Sequence, residues 1–312
     1  MTTKPVISVV VPVFRSKATL NALYDRVRNV LDDVASSWEI ILVDDASNDG
    51  TFEVMLALHE HDSRVKLVRF ARNTGQHHAT LCGLQRASGD YAFTLDDDLQ
   101  NPPEEIPRFI EKMEEGYDMV IGKIVTSKKH SAARNLSSRI VQWMVSRILG
   151  KPRDLALSSY RGMTRRAASN MGAFTGAHAY LPALIFASVP IDRITNLSVP
   201  HNERAHGRST YSPGRLIKLA SYLLINHSYL PLRFMVAWGI ILSVASLLYA
   251  VCTVSYVLLG GHMAAGWPSL AVLISFLCGN ILLFMGIVGE YVGRLVEEHS
   301  RPQQFPIFET HD

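Results

Sequence analysis

Several features that define other protein classes are scarce in this sequence. The three cysteines, Cys82, Cys252 and Cys278, form neither a C-x-x-C motif nor a Cys/His metal spacing. A disulfide framework and a structural zinc site are therefore both unsupported. The net charge of +3 over 312 residues provides no strong field, so we do not expect nucleic acid as a partner. The first residues also lack the small-residue cleavage site of a secretory signal.

The turn after the first apolar run lacks the glycines of a dinucleotide-binding fold. Its sequence is Pro12-Val13-Phe14-Arg15. A sheet that binds a nicotinamide cofactor places the motif G-x-G-x-x-G at this point, because a side chain there would block the pyrophosphate. The sequence therefore argues against a nicotinamide-dependent oxidoreductase.

Charge of either sign is absent from a long apolar stretch near the C-terminus. No Asp, Glu, Lys or Arg occurs from Phe234 to Gly289. Residues 232–259 and 269–291 each exceed the roughly 20 residues that cross a bilayer, which predicts a transmembrane hairpin. The alternative is a pair of buried helices in a soluble core. Arginine and lysine flank the stretch and avoid its turn, so both ends are expected to face the cytoplasm.

The rest of the chain has the composition of a folded domain, with 48% hydrophobic and 19% charged residues. Its first 125 residues alternate between β-branched apolar runs and helical patterns, which predicts a mostly parallel α/β sheet with flanking helices. The predicted strands are 6–13, 40–43, 65–70, 91–95 and 119–121, and the predicted helices are 20–34, 52–61, 77–87 and 104–115.

Polar clusters follow three of these predicted strands. Asp44-Asp45 follows the second strand, Arg72-Asn73-Thr74-Gly75 the third, and Asp96-Asp97-Asp98 the fourth. In parallel sheets, ligands bind beyond the carboxyl ends of the strands. We therefore expect these clusters to form one site, in which Asp44 and Asp45 can accept hydrogen bonds from a nucleobase or a ribose.

The acidic run from Asp96 to Asp98 is the strongest chemical signal. In an extended segment Asp96 and Asp98 point to one side, with Gln100 near them, and Asp97 points to the other. Adjacent carboxylates repel one another unless a cation joins them, and their oxygens suit Mg²⁺ or Mn²⁺. The alternative is an acidic, solvated loop that caps the helix beginning near Pro103.

Two shorter features leave their alternatives open. His77 and His78 are adjacent on a predicted helix, about 100° apart, so they cannot form one metal-binding face. They lie either near a ligand or in ordinary packing. Residues 213–231 form an amphipathic stretch before the first predicted span, which is either an interfacial helix at the membrane or a helix packed on the soluble domain.

Taken together, the motifs resemble those of the family-2, GT-A-fold polyprenyl-phosphate glycosyltransferases. The resemblance is strongest to the bacterial undecaprenyl-phosphate sugar transferases, and more distant to dolichyl-phosphate mannose synthase. It implies the following organisation: a cytoplasmic GT-A domain (1–212), a juxtamembrane helix (213–231), a transmembrane hairpin (232–291) and a cytoplasmic tail (292–312). The motifs are Val11-Pro12-Val13, Val43-Asp44-Asp45 with Ser47, Asp49-Gly50-Thr51, Asn73 with Gly75, Asp96-x-Asp98-x-Gln100 with Pro102-Pro103, Ser158-Ser159-Tyr160-Arg161, and Arg204-x-x-Gly207-x-Ser209-x-Tyr211.

The resemblance implies inverting transfer of a sugar from a nucleotide diphosphate, with UDP favoured, to a polyprenyl phosphate. The expected setting is the cytoplasmic face of a bacterial inner membrane, with Mg²⁺ or Mn²⁺ as the cofactor and a homo-oligomer as the assembly. The implied catalytic residues are Asp96, Asp98 and Arg161; the implied metal ligands are Asp98, Gln100 and Asp96; and the implied binding residues are Pro12, Asp44, Asp45, Asn73, Gly75, Arg204 and Ser209.

The chain departs from the family pattern at two points. Phe14-Arg15-Ser16 stands where Asn-Glu usually follows the aromatic residue, and Thr210 stands where lysine is usual. A processive polysaccharide synthase would carry a Q-x-x-R-W motif, which this chain lacks. A non-catalytic membrane scaffold is the alternative from a different functional class.

Overall fold

The computed structural model describes residues 4–124, 151–152, 154–176, 179–200, 230–259, 266–300 and 304–312. The chain divides into two compact units: Met1–Tyr211 together with Pro302–Asp312, and Ser212–Arg301. Arg204, Ser209 and most of the predicted juxtamembrane helix, residues 213–229, lie outside the described residues.

The first unit contains a sheet with the strand order β7-β5-β6-β4-β1-β2-β3-β8. The strands are β1 (Val6–Val13), β2 (Ser37–Asp44), β3 (Val65–Phe70), β4 (Tyr91–Thr94), β5 (Met119–Ile124), β6 (Arg161–Thr164), β7 (Ile194–Val199) and β8 (Ile307–His311). Strand β1 is parallel to β2 and β4, β2 is parallel to β3, and β5 is parallel to β7. Strand β6 is antiparallel to both of its neighbours, and β8 is antiparallel to β3. The mostly parallel sheet agrees with the predicted fold class.

The apolar pattern of the sequence predicts the bounds of some strands correctly and misses the start of β2. Strands β1 and β3 have their predicted bounds, but β2 begins at Ser37 rather than at residue 40. The difference arises at Glu39, a charged residue that is buried in the strand. Its carboxylate accepts a hydrogen bond from Ser8 Oγ at 2.6 Å and pairs with Lys66 Nζ at 2.8 Å. Because the buried charge is satisfied within the sheet, it does not interrupt the strand.

Helices cover both faces of the sheet. Side chains alternate along β1, so Val9 and Val11 pack in one apolar cluster with Leu23, whereas Val10 packs in the opposite cluster with Leu84. The described helices of this unit are α1 (Leu20–Val34), α2 (Thr51–His61), α3 (Gln76–Arg86), α4 (Ile106–Glu114), α5 (Arg165–Gly172) and α6 (Leu181–Ser188). A 3₁₀ turn, Pro103–Glu105, precedes α4. This layering brings the carboxyl ends of β1, β2 and β4 together at one edge.

The last residues of the chain belong to this sheet. Strand β8 pairs with β3, with Val68 opposite Thr310 and Arg69 opposite Glu309. Phe305 just before it stacks on Phe70 with ring centroids 6.0 Å apart. The segment predicted as a C-terminal tail therefore ends in a strand that covers the β3 edge.

The described part of the second unit contains two long helices, α7 (Leu230–Leu258) and α8 (Trp267–Ser300). Trp238 Nε1 donates a hydrogen bond to Asn280 Oδ1 between them at 3.3 Å. Among the described residues, Phe276–Gly293 alone is long and apolar enough to cross a membrane, with mean hydropathy 1.6, and none of it is buried. Helix α7 has only a shorter apolar stretch, Leu232–Leu242. The two-helix transmembrane hairpin therefore stays a prediction.

Candidate active site

A pocket of about 470 Å³ lies at the edge where β1, β2 and β4 end. It brings together six of the residues that the sequence predicts for the site, although they come from four separate segments. Its lining residues are Pro12, Val13, Phe14, Asp45, Asn73, Gly75, Gln76, Asp96, Asp97 and Asp98. Residues of all three clusters that follow the strands therefore line one pocket.

A second pocket, of about 220 Å³, adjoins the first and shares Pro12, Gln76 and Asp96 with it. This smaller pocket contains Arg161, which is a predicted catalytic residue, and also His77. Asp96 therefore lies at the boundary between a mainly acidic pocket and one that contains the buried, positively charged side chain of Arg161.

A third pocket, of about 610 Å³, lies elsewhere on this unit. Asp118, Arg166 and Arg193 are among its lining residues, and none of the predicted site residues is. The Asp118 carboxylate is already paired with Arg166 at 2.5 Å. Size alone therefore does not identify the active site, and the chemistry of the lining residues favours the two smaller pockets.

The three carboxylates of the acidic run have different partners. Asp96 accepts hydrogen bonds from Gln76 Nε2, at 2.6 Å, and from Ser159 Oγ. Asp97 instead accepts hydrogen bonds from Phe14 N, at 3.0 Å, and from Ser16 Oγ, so it fastens the connection between β1 and α1. Asp96 and Asp97 therefore have different partners, although both line the pocket. Residues 97–99 form a turn and a bend, so the extended segment assumed for the alternation of side chains is not present here.

Burial affects the protonation of these carboxylates. It raises the pKa of Asp97 to about 6, against the hydrogen bonds from Ser16 and Phe14. Burial also raises the pKa of Asp96; the Ser159 hydrogen bond opposes this change and the neighbouring charge of Asp98 reinforces it. Burial therefore disfavours the charged form of both carboxylates, and a bound cation would favour it.

Arg161, the first residue of β6, supplies the positive charge of the smaller pocket. It is only 5% exposed, and its Nε has no hydrogen-bond partner among the residues that the structure describes. Burial lowers its pKa to about 10, although the charge of Asp96 opposes this change, so the guanidinium stays charged at neutral pH. A buried arginine with an unused donor is suited to bind an anion that enters the pocket.

The segment before Arg161 is held in place by buried hydrogen bonds. Tyr160 Oη donates to the Pro102 carbonyl at 2.8 Å, which ties this segment to the loop that follows the acidic run. Thr94 Oγ1 donates to the Ser159 carbonyl at 2.6 Å. These contacts fix the position of Arg161 relative to Asp96.

The two carboxylates at the end of β2 have different environments. Asp44 is fully buried and is not part of the pocket lining: its Oδ1 accepts from Ser47 N at 3.0 Å, and Arg69 Nε lies 3.6 Å from Oδ2. Burial raises the pKa of Asp44, against the hydrogen bonds from Ser47. Asp45 does line the pocket and accepts from Thr74 N at 2.6 Å and Gly75 N at 2.8 Å.

Asp45 therefore organises the connection between β3 and α3. Asn73 Nδ2 donates to the Asp45 carbonyl at 3.2 Å, so both predicted residues of this connection contact Asp45. Gly75 has a φ of +94° at the start of α3, a conformation that favours glycine. The roles of Asp44 and Asp45 toward a base or ribose stay predictions.

Backbone strain is concentrated around the same edge. The non-glycine residues with positive φ among those described are Arg15, Ala46 and Leu99, and each follows the end of β1, β2 or β4. Such conformations persist only where surrounding contacts fix them, and they are common at functional sites. Here the Arg15 amide donates to Ser47 Oγ at 2.9 Å, which joins the first two connections.

The sequence did not predict roles for Gln76 and Phe14, which both line the 470 Å³ pocket. The detectable signal is their position, because Phe14 directly follows β1 and Gln76 begins α3 after the connection from β3. Residues that follow parallel strands reach the ligand. Arg204 and Ser209 lie outside the described residues, so their predicted phosphate contacts stay predictions.

The acidic run has the right chemistry for a divalent cation. Asp96, Asp98 and Gln100 offer the hard oxygen donors that Mg²⁺ and Mn²⁺ prefer. Within the described residues no group of three His, Cys, Asp or Glu side chains is arranged to hold a metal alone. This arrangement fits a cation that takes one or two carboxylates from the protein and its other ligands from phosphate and water.

Comparison with known proteins places this geometry among glycosyltransferases. Residues 8–175 match glycosyl transferase family 2. The chain is 35% identical over 304 residues to the undecaprenyl-phosphate 4-deoxy-4-formamido-L-arabinose transferases of Yersinia pestis (strain Pestoides F) and Yersinia pseudotuberculosis serotype O:3 (strain YPIII). The alignment covers 96% of this chain and 92% of each relative.

Solved structures resemble this chain at the level of the fold. Glucosyl-3-phosphoglycerate synthase from Mycobacterium tuberculosis, in complex with Mn²⁺, uridine diphosphate and glucosyl-3-phosphoglycerate, is 20% identical with a TM-score of 0.51. The similarity covers 71% of this chain and 78% of that chain. In complex with Mn²⁺ and uridine-diphosphate-glucose, the same enzyme has a TM-score of 0.52. This likeness confirms the predicted GT-A-type, mostly parallel α/β sheet.

Proposed function

Because this chain belongs to glycosyl transferase family 2, we propose that it transfers a sugar from a nucleotide diphosphate sugar to undecaprenyl phosphate or a similar polyprenyl phosphate. The identity of 35% with the Yersinia transferases extends over 96% of the chain, so it includes the apolar helices as well as the sheet. A relationship of that extent supports the lipid phosphate as acceptor.

One observation in the structure carries the proposal. Asp96 lies on the shared wall of two adjoining pockets, one of which is also lined by Asp98 and the other by the buried Arg161. A nucleotide sugar and a lipid phosphate are both anions, so a site that joins them needs positive charge between them. A non-catalytic scaffold would have no use for a buried arginine whose Nε is without a partner among the described residues.

The reaction itself requires no general base. A phosphate monoester has a second pKa near 6, so the acceptor is largely a dianion at neutral pH and is already nucleophilic. One of its oxygens attacks the anomeric carbon as the bond from that carbon to the nucleotide diphosphate breaks. Attack opposite the leaving group inverts the configuration at that carbon.

The chain's own residues orient the two anions. Arg161 binds phosphate oxygens at the floor of the smaller pocket, and Ser159 and Gln76 hold the Asp96 carboxylate beside it. Asp97 keeps the connection after β1 against the site through Phe14 N and Ser16 Oγ. Holding reactants in line converts a bimolecular step into an effectively unimolecular one.

We propose Asp98, Gln100 and Asp96 as the residues that hold Mg²⁺ or Mn²⁺. When bound, the cation would neutralise negative charge on the departing diphosphate. The base and ribose of a uridine nucleotide would occupy the 470 Å³ pocket, near Pro12, Asp45 and Asn73. Gly75 would lie at the start of α3 and Asp44 behind Asp45.

The acceptor places the reaction at a membrane. We propose that α7 and α8 cross the bilayer as a hairpin whose two ends are cytoplasmic, and that copies of the chain assemble as a homo-oligomer. The described apolar side chains of these helices support this arrangement, because Ile240, Leu248 and Met285 are all exposed. The catalytic unit would then meet the lipid phosphate at the headgroup layer, with the donor arriving from the cytosol.

A screen of sugar nucleotides tests the proposal. Purified full-length protein is incubated with undecaprenyl phosphate, Mg²⁺ and one of several sugar nucleotides, including UDP-4-deoxy-4-formamido-L-arabinose and UDP-glucose, and the lipid product is measured by mass spectrometry. We expect a lipid-linked monophosphate sugar with at least one donor, and none with Asp98→Ala. A folded protein that binds nucleotide yet forms no lipid product with any donor would support the scaffold instead.

A further inference from the structure

The smaller pocket has an unusual combination of walls. Ser158, Ser159 and Arg161 line one part of it, Leu157 and Leu181 supply apolar surface, and His77 completes it from α3. Its volume of about 220 Å³ is suited to a small ring rather than to a whole nucleotide. Because Asp96, Gln76 and Pro12 line both this pocket and the 470 Å³ pocket, a ligand can extend from the 470 Å³ pocket into this one.

The His77 ring has a defined orientation. It packs edge-on against Tyr180, with ring centroids 5.2 Å apart and an interplanar angle of 83°. Its neighbour His78 has a different environment, with Nδ1 3.1 Å from the Thr74 carbonyl. The two histidines are therefore not equivalent, and His77 is the one that lines the smaller pocket.

His77 is uncharged at neutral pH. Burial, together with the positive charge of Arg161 and the proximity of His78, lowers its pKa to about 4. A neutral imidazole offers one hydrogen-bond donor and one acceptor. Arg161, in contrast, offers only donors and a full positive charge.

This difference divides the pocket between two kinds of ligand group. Phosphate oxygens are acceptors with negative charge, and they match Arg161. A sugar hydroxyl or an amide substituent is neutral and both donates and accepts, which is the pattern that His77 offers.

We propose that His77 is a specificity-determining residue that hydrogen-bonds the sugar of the donor, with Tyr180 holding its ring in place. This inference rests on the proposed function, because it assumes a nucleotide sugar in the two adjoining pockets.

The test separates the sugar from the nucleotide. The variant His77→Phe keeps an aromatic ring against Tyr180 but removes both nitrogens, and His77→Gln restores an amide that can donate and accept. Dissociation constants are measured by calorimetry on full-length protein for UDP alone and for the UDP-sugar that the wild type turns over. His61→Phe is the matched control, since His61 is an exposed residue at the end of α2.

We expect His77→Phe to weaken binding of the UDP-sugar by about three- to tenfold, as for loss of one or two neutral hydrogen bonds, and to leave UDP binding within about twofold. His77→Gln should recover part of the loss, and His61→Phe should match the wild type for both ligands. Relative turnover of UDP-glucose and UDP-4-deoxy-4-formamido-L-arabinose should also change in His77→Phe.

Three results would overturn the inference. Equal weakening of UDP and UDP-sugar would place His77 with the nucleotide or with the structure of the cleft. A loss confined to the KM for undecaprenyl phosphate would place it in the acceptor site, and wild-type binding of both ligands would remove it from the site. If the wild type itself turned over no sugar nucleotide, the proposed function would fail first, which is a distinguishable outcome.

Discussion

Replacing Arg161 by methionine separates a functional role of this residue from a structural one. The buried charge of Arg161 is unfavourable to folding, because burial lowers the pKa of this residue to about 10. That lowering corresponds to roughly 3 kcal/mol of unfavourable charge burial. Methionine has a similar length and no charge, so Arg161→Met should unfold at the same temperature as the wild type or a higher one.

Activity should change in the opposite direction. Removing a positioned group that stabilises negative charge in a transition state typically lowers kcat by about 100- to 1,000-fold, or about 3 to 4 kcal/mol. Arg161→Lys keeps the charge but loses the planar fork, so its activity should lie between those of the wild type and Arg161→Met.

The assay is release of nucleotide diphosphate in the presence of undecaprenyl phosphate, run beside thermal unfolding of the same samples. Arg165→Met is the control, because Arg165 is exposed at the start of α5 and should be unaffected in both measurements. Turnover of Arg161→Met within about threefold of the wild type would refute the phosphate role. A large fall in its unfolding temperature would show that the charge stabilises the fold.

Three further predictions concern the acidic run, the membrane topology and the stability of the sheet domain. Asp98→Ala should abolish transfer with an unchanged unfolding temperature, whereas Asp97→Ala should lower the unfolding free energy by about 1 to 3 kcal/mol, because it leaves Phe14 N and Ser16 Oγ without their acceptor. If Asp98→Ala and Asp97→Ala lost transfer to a similar extent and were equally stable, the separate roles given to Asp98 and Asp97 would be contradicted. A reporter fused after Asp312 should be cytoplasmic and one inserted near residue 262 should be on the opposite side of the membrane; a cytoplasmic signal from both would exclude the hairpin. Although burial raises it, hydrogen bonds from Arg64 and Tyr24 lower the pKa of Asp62 from 3.8 to about 2, so Asp62→Asn should destabilise the protein at neutral pH. The folded-state pKa is the lower one, so this stabilisation is present above pH 3.8 and is lost as the pH falls toward 2; a pH-independent difference in chemical denaturation would disprove it.

The parallel part of the fold was predictable because its elements are marked locally. Strand β1 is an apolar run, broken only by Ser8, that is buried on both faces, and α1 has an amphipathic pattern whose buried residues are Leu20, Leu23, Tyr24, Val27 and Leu31. The proximity of the residues that follow such strands was also predictable, since topology alone brings carboxyl ends together. Asp45, Asn73 and Asp96 therefore meet as expected.

The antiparallel strands were not predictable from local pattern. Strand β6 has four residues, two of which are Arg161 and Gly162, and neither favours a strand. It forms because it pairs with β4 and β5, and a Cβ on Gly162 would lie 2.7 Å from the Phe93 ring. Strand β8 likewise depends on β3, which is far away in sequence.

The roles of individual site residues were only partly predictable. The sequence places Asp44 and Asp45 side by side, but the structure buries Asp44 beneath the site and gives both oxygens of Asp45 to backbone amides. Their carboxylates were predictable as neighbours, whereas their partners depend on the connection between β3 and α3. The same applies to His77, whose environment is set by Tyr180 and Arg161.

The central claim is that this chain joins a nucleotide-linked sugar to a lipid phosphate, and nucleotide release in four parallel mixtures tests it most directly. Purified protein and a sugar nucleotide are combined with undecaprenyl phosphate, with Mg²⁺, with both, or with neither. The account predicts rapid release of nucleotide diphosphate only when both are present, with an equal amount of lipid-linked sugar. Release at the same rate without undecaprenyl phosphate, or no release in any mixture, would contradict it.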